Sequence, residues 1–215
     1  MIKAVLFDND GVLIDSESVF FALTRDALAT AGVGLHPSYW ARHYLGNGLK
    51  SMEVAESLGL PRAIADGVIE LRNRRFMARL QEGFSPITGV METLSALRPL
   101  VRMALVTGSP GDKLLLAHQE TELLPLFDCV ITSDDYTHSK PHPAPYHTAM
   151  ERLGIEAGEC LAVEDSPRGL NAAHAAGIRC LLIPTPLTDM EMCRHADWIE
   201  PDITGVLRIV QEENR

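Results

Sequence analysis

Residues 5–17 read "VLFDNDGVLIDSE", an apolar run that stops at Asp8 and is followed at once by Asp10 and Asp15. Two ordinary readings compete for it. Asp10-Gly11 between apolar runs is a hairpin turn signal. Asp8-Asn9-Asp10 also opens like a calcium loop, but that loop needs glycine where Leu13 stands and a distal glutamate where Val19 stands. Spacing excludes calcium, and the hairpin stays open until the rest of the chain is read.

Further β-rich runs follow at Arg102–Thr107, Cys129–Ser133, Cys160–Glu164 and Arg179–Pro184, with Lys3–Phe7 ahead of them. Each of the later runs precedes a helical pattern, which implies right-handed crossovers and a parallel sheet covered on both faces. The stretches "MALV", "CVI", "CLAV" and "CLLI" are nearly continuous in apolar residues, as doubly buried strands are. From Ser16 to Gly83 the pattern changes. Phe20, Leu23, Ala27 and Leu28 keep helical spacing behind Ser16 as N-cap, and "AIADGVIELRNRRFMARL" is a second amphipathic stretch. The expected fold is α/β: a doubly wound, Rossmann-like parallel-sheet core at 1–15 and 84–215, with an all-α helical domain at 16–83. A helix starting at Ser16 leaves little room for a returning strand, so the hairpin weakens. In open α/β sheets ligands bind at the carboxyl ends of the strands, where Asp8 and Asp10 fall.

The 215 residues are 46% hydrophobic and 22% charged, an ordinary globular composition with ample core. A net charge of −10 disfavours nucleic acid and anionic membranes as partners. No run approaches the roughly 20 apolar residues of a membrane span, and the opening run is too short for a signal peptide. Cys129, Cys160, Cys180 and Cys193 lack zinc-like pairing and read as reduced, buried thiols. A cytoplasmic protein is expected, monomeric, with a weak dimer as the alternative.

The other strand ends carry chemistry of their own. "LVTGSPG" offers the Thr107 hydroxyl, close backbone approach at Gly108, and Ser109-Pro110 opening a helix; this suits phosphate, or Ser109 simply caps the helix. "SDDYTHSKPHPAPY" holds Lys140 in a loop stiffened by Pro141 and Pro143, with Asp134 and Asp135 able to orient it. "LAVEDSPRGL" ends its apolar run at Glu164 and Asp165, and Ser166-Pro167 starts the next helix. With Asp8 and Asp10 these acids form a cluster that repels itself without a cation, and hard oxygen ligands favour Mg²⁺.

The order Asp8-Asn9-Asp10-Gly11-Val12, Thr107, Lys140-Pro141, Glu164-Asp165 resembles the haloacid dehalogenase-like phosphohydrolases over the whole chain. The 16–83 segment resembles their helical cap, and "LIDSE" resembles the joint to it in the phosphosugar-phosphatase and β-phosphoglucomutase-like branch. Ala144 departs from relatives that often carry an acid after "KPxP". The resemblance implies a phosphatase acting on a small phosphorylated metabolite (phosphosugar, sugar acid or polyol phosphate). It makes Asp8 the nucleophile and Asp10 the general acid/base. Thr107, Gly108, Ser109 and Lys140 hold the phosphoryl oxygens. The resemblance also implies Mg²⁺ on the Asp8 side chain, the Asp10 carbonyl and the Asp165 side chain, with Glu164 beside its water. Asp15 and Ser16 serve as hinge and cap of the helix.

For the leaving group, "YLGNGLKSM" is the candidate cap loop: Gly46 and Asn47 permit a turn and Lys50 meets an anion, or is simply solvated. His138, His142 and His147 are too loosely spaced for a metal set. The rival readings are a phosphosugar mutase and a phosphometabolite-binding protein without turnover. Mutases of the β-phosphoglucomutase type carry a cap histidine shortly after the joining segment; the matching stretch here, "SESVFFAL", has Phe20 and Phe21 instead.

Overall fold

The computed structural model describes residues 1–215. Six strands form one parallel sheet in the order β3-β2-β1-β4-β5-β6. They are β1 (Ala4–Phe7), β2 (Arg102–Val106), β3 (Cys129–Ile131), β4 (Cys160–Glu164), β5 (Arg179–Leu182) and β6 (Trp198–Ile199). The expected runs are all strands, each trimmed by up to two residues except β4; β6 was not expected, because two residues carry no periodicity. β1 is central, with Phe7 opposite Leu105 of β2 and Val163 of β4. Its burial on both faces explains the unbroken "AVLF".

Two apolar layers flank the sheet. One gathers Val5, Phe7, Leu105, Leu161 and Leu181 under α5 (Val90–Leu97) and α9 (Thr204–Glu213). The other sets Leu6, Val106, Ala162 and Leu182 against α7 (Ala144–Leu153) and α8 (Pro167–Ala175).

Beyond Asp8 the chain turns on Gly11, at φ +89°, and the Asn9 carbonyl accepts from the amides of Val12, Leu13 and Ile14. This tight loop runs into α1 (Ser16–Ala29), so there is no returning strand and the hairpin reading ends here. The N-cap is Asp15, whose side chain accepts from the Ser18 amide; Ser16, expected there, instead turns its hydroxyl inward. α2 (Pro37–Trp40) continues into a π-helical turn at Ala41–Gly46, and α3 (Ser51–Ser57) and α4 (Arg62–Gln81) complete the helical segment.

That segment has its own apolar cluster around Trp40, Leu28, Val54 and Ala65. Leu187, from the loop after β5, is 4% exposed within the same cluster. The loop is tied further by Arg42 of the π turn, which reaches Asp189 at 2.9 Å and Glu191 at 2.8 Å. Helical lid and sheet are thus joined both by α1 and by this strap. No helix is long and apolar enough to cross a membrane.

Candidate active site

The carboxyl ends of β1, β2 and β4 converge with the Lys140 loop under the helical lid. Asp8 follows β1 directly and is 8% exposed. Lys140, 9% exposed, donates all three ammonium hydrogens: to Asp8 Oδ1 at 2.8 Å, Glu164 Oε1 at 2.6 Å and the Val106 carbonyl at 2.9 Å. Glu164 Oε1 also accepts from Tyr146 Oη at 2.5 Å, while Oε2 is buried with no hydrogen-bond partner. Gly169 is what lets this glutamate lie there, since a Cβ at that position would collide with its carboxylate.

Asp10 is turned away from Asp8's lysine. Its Oδ1 accepts from Ser16 Oγ, and its Oδ2 from Thr107 Oγ1 at 3.1 Å and Ser109 Oγ at 3.4 Å. Thr107 Oγ1 in turn accepts from the Ser109 amide at 3.0 Å. The simpler reading of Ser109 as a cap does not hold: α6 (Gly111–Ala117) starts behind Pro110 with no side-chain cap. Ser166 does cap α8, accepting from the Gly169 amide.

Electrostatics mark the site as needing positive charge. Burial, then repulsion from Glu164 and Asp10, raises the Asp8 carboxyl to about 7 despite Lys140. Burial and the neighbouring Asp8 and Glu164 push Asp165 well above the carboxylate range. Burial opposes the Lys140 ammonium, but Asp8 and Glu164 outweigh it and raise that group. Oxygens of Asp8, Glu164 and Asp165 lie within 4.8 Å of one another. Such a cluster, with an orphaned glutamate oxygen, fits a hard divalent cation. Gly11 leaves Asp165 its room, for a Cβ there would strike the carboxylate.

A cavity of about 590 Å³ opens over these residues. It takes in Asp8, Asp10, Gly108, Ser109, Lys140 and Asp165 from the core, and Glu17, Phe20, Tyr44, Asn73, Phe76 and Met77 from the lid. Glu17 is half-buried, accepts from Trp40 Nε1 at 2.9 Å, and is raised to about 8 by burial and the nearby Asp10 and Asp8. Gly46, Asn47 and Lys50 are not in its lining. Gly46 packs on Met192, Gly48 lies by Arg168, and Lys50 is exposed. Arg168, unremarked in the sequence, lines the cavity and donates to the Lys140 carbonyl at 3.1 and 2.8 Å.

A parallel sheet whose strand ends bring buried carboxylates and a lysine together beneath a helical lid has the architecture of a capped, Rossmann-like α/β enzyme. Residues 5–183 match the model of the haloacid dehalogenase-like hydrolases, and the chain belongs to that family, in its phosphatase branch. It is 32% identical to validoxylamine A 7'-phosphate phosphatase of Streptomyces hygroscopicus subsp. limoneus, over 96% of each chain. It is 28% identical to hexitol phosphatase B of Escherichia coli K12, covering 95% of this chain and 97% of that one. A solved haloacid dehalogenase-family hydrolase of Deinococcus radiodurans R1, with bound phosphate and sodium, superposes with a TM-score of 0.79 at 29% identity. That match covers 99% of this chain and 96% of the other.

Proposed function

We propose that the chain is a Mg²⁺-dependent phosphatase that hydrolyses a small phosphorylated sugar, sugar acid or polyol through an aspartyl-phosphate on Asp8. The observation that carries this reading is the Lys140 ammonium held at 2.8 Å from Asp8 Oδ1, at the end of the central strand. Lysine engages one carboxylate oxygen and leaves the other to approach phosphorus. In this reading Thr107 and the Gly108 and Ser109 amides supply the donors for equatorial phosphoryl oxygens, the Ser109 amide exchanging Thr107 Oγ1 for the ligand. Asp10 gives a proton to the leaving alkoxide, then takes one from the water that cleaves the acyl phosphate. Ser16, Thr107 and Ser109 orient its carboxylate for that task. A bound divalent cation, held by Asp8, Asp165 and the Asp10 carbonyl, would offset the charge of carboxylates and phosphate. Glu164 serves chiefly to hold Lys140 in place.

Residues 1–15 and 84–215 form the catalytic core in this reading and 16–83 the cap, in a cytoplasmic monomer. Hydrolysis is favoured over mutase chemistry because Phe20 lines the cavity and the stretch after the joint has no histidine of the kind a mutase carries, so no histidine holds Asp10 back from activating water. The test is a panel of phosphorylated metabolites, β-glucose 1-phosphate with a trace of the bisphosphate included, with phosphate and isomer both measured. Phosphate release should dominate, and Asp8→Asn should abolish it. A variant keeping a tenth of the activity removes Asp8 as nucleophile; glucose 6-phosphate in excess of phosphate overturns the phosphatase in favour of the mutase.

A further inference from the structure

Two donors on the wall of the catalytic cavity have no side-chain partner. Lys113, one helical turn beyond the Thr107–Ser109 strand end, lines the cavity from α6 and makes no ion pair. Asn73 lines it from α4, which packs against α6. The Asn73 Oδ1 accepts from Arg72 Nε at 2.9 Å, which turns its amide nitrogen, with two hydrogens to donate, to the other side.

Arg72 is itself unusual. It is 4% exposed, donates to Thr24 Oγ1 at 3.0 Å, and its guanidinium stands 4.1 Å over the ring of Phe20, with no carboxylate partner. A buried cation without a counter-charge is costly, and Phe20 separates this one from the cavity by a single ring. Among the cavity's cationic residues, Lys140 is bound to Asp8 and Glu164 and Arg168 to the Lys140 carbonyl, which leaves Lys113 as the cation on this wall without a side-chain partner.

We infer that Lys113 and Asn73 form a subsite for a second anionic group on the substrate, a carboxylate or a second phosphate remote from the phosphate that is cleaved. Arg72 is the positioning residue: it fixes which way the Asn73 amide faces and adds positive potential behind Phe20. The inference rests on the phosphatase reading for its place in the reaction and adds the substrate's far end to it. Lysine answers either anion as a point charge, and the asparagine amide supplies directed hydrogen bonds.

Sorbitol 6-phosphate and 6-phosphogluconate differ only in whether the far carbon is a hydroxymethyl or a carboxylate, and sorbitol 1,6-bisphosphate supplies the phosphate alternative. The wild-type kcat/KM should favour at least one anionic-ended compound over the neutral one by about tenfold, and which one identifies the anion. Lys113→Met and Asn73→Asp should each remove most of that preference through KM, leaving sorbitol 6-phosphate within about twofold. Arg72→Met should raise KM for the anionic compound alone with kcat kept; should it fail to fold, Asn73→Asp carries the test. Equal losses on all three compounds, or no wild-type preference, overturn the subsite. If the wild type releases phosphate from none, the hydrolytic reading fails separately. Calorimetric binding of the same compounds to Asp8→Asn then reads the preference without turnover, and equal affinities overturn the subsite there too.

Discussion

Replacing Lys140 by methionine keeps most of the side-chain volume and removes one charge. In the wild type that ammonium is fully used, with bonds of 2.8 Å to Asp8, 2.6 Å to Glu164 and 2.9 Å to the Val106 carbonyl. Both carboxylates are buried, Glu164 completely. Removing one partner of such a group leaves uncompensated buried charge, which costs about 3–5 kcal/mol. At about 2–4 °C per kcal/mol for a chain of this size, Tm should fall by about 6–20 °C. The sign of the pH dependence separates charge from packing. Lysine lowers the Asp8 carboxyl against burial, so without it the folded pKa rises further above the unfolded value. The variant therefore binds more protons when native than when unfolded, and loses stability as pH climbs through that window. Thermal melts in chelator should show a gap that is widest near pH 8 and narrow near pH 4.5, where the Asp8 carboxyl is protonated. Turnover should fall by about a hundred- to a thousandfold, as for the loss of a strong oxyanion partner. A gap that is constant with pH would refute the reasoning, because lost packing alone is indifferent to protons.

Chelation should abolish turnover and Mg²⁺ restore it, with Ca²⁺ a poor substitute because it prefers longer bonds and more ligands; full activity in chelator sinks the metal assignment. Asp8 raised to about 7 and Glu17 to about 8 also predict that the metal-free protein loses stability as pH rises from about 4 to 8, since the native state keeps protons the unfolded state has released. Added Mg²⁺ should therefore raise Tm more at pH 8 than at pH 5.5, and a shift of equal size at both contradicts the assignment. Arg42→Gln cuts the exposed ties to Asp189 and Glu191. Its Tm should move by only a few degrees, as exposed pairs contribute about 0–1 kcal/mol, while KM rises several-fold because the lid is held less firmly; unchanged KM and kcat would separate the strap from catalysis.

The core of the site could be read from the chain because its residues end local patterns. Asp8, Thr107 and Glu164 each stand where an apolar run stops, and a parallel sheet sends all such stops to one edge. Lys140 carried a local mark in the prolines around it. Tyr146, which shares Glu164 with Lys140, had none: on α7 it reads as one more core aromatic, and it is indeed fully buried. The lid was less legible. Gly46 and Asn47 stand out by turn chemistry and Lys50 by charge, yet what lines a cavity between two packed bodies depends on how they dock, which no window of sequence records. Phe20 and Phe21 show the difficulty within two positions. Their side chains differ by about 100° around α1. That angle sends Phe20 into the cavity beside Glu17, and Phe21 into the lid's own core at 7% exposure. Apolar periodicity marks both as inward-facing, because this helix has two insides: its own core and the wall of the cavity. The lid's share of the cavity lining is therefore written partly in residues that look like packing, and only the docked structure separates the two.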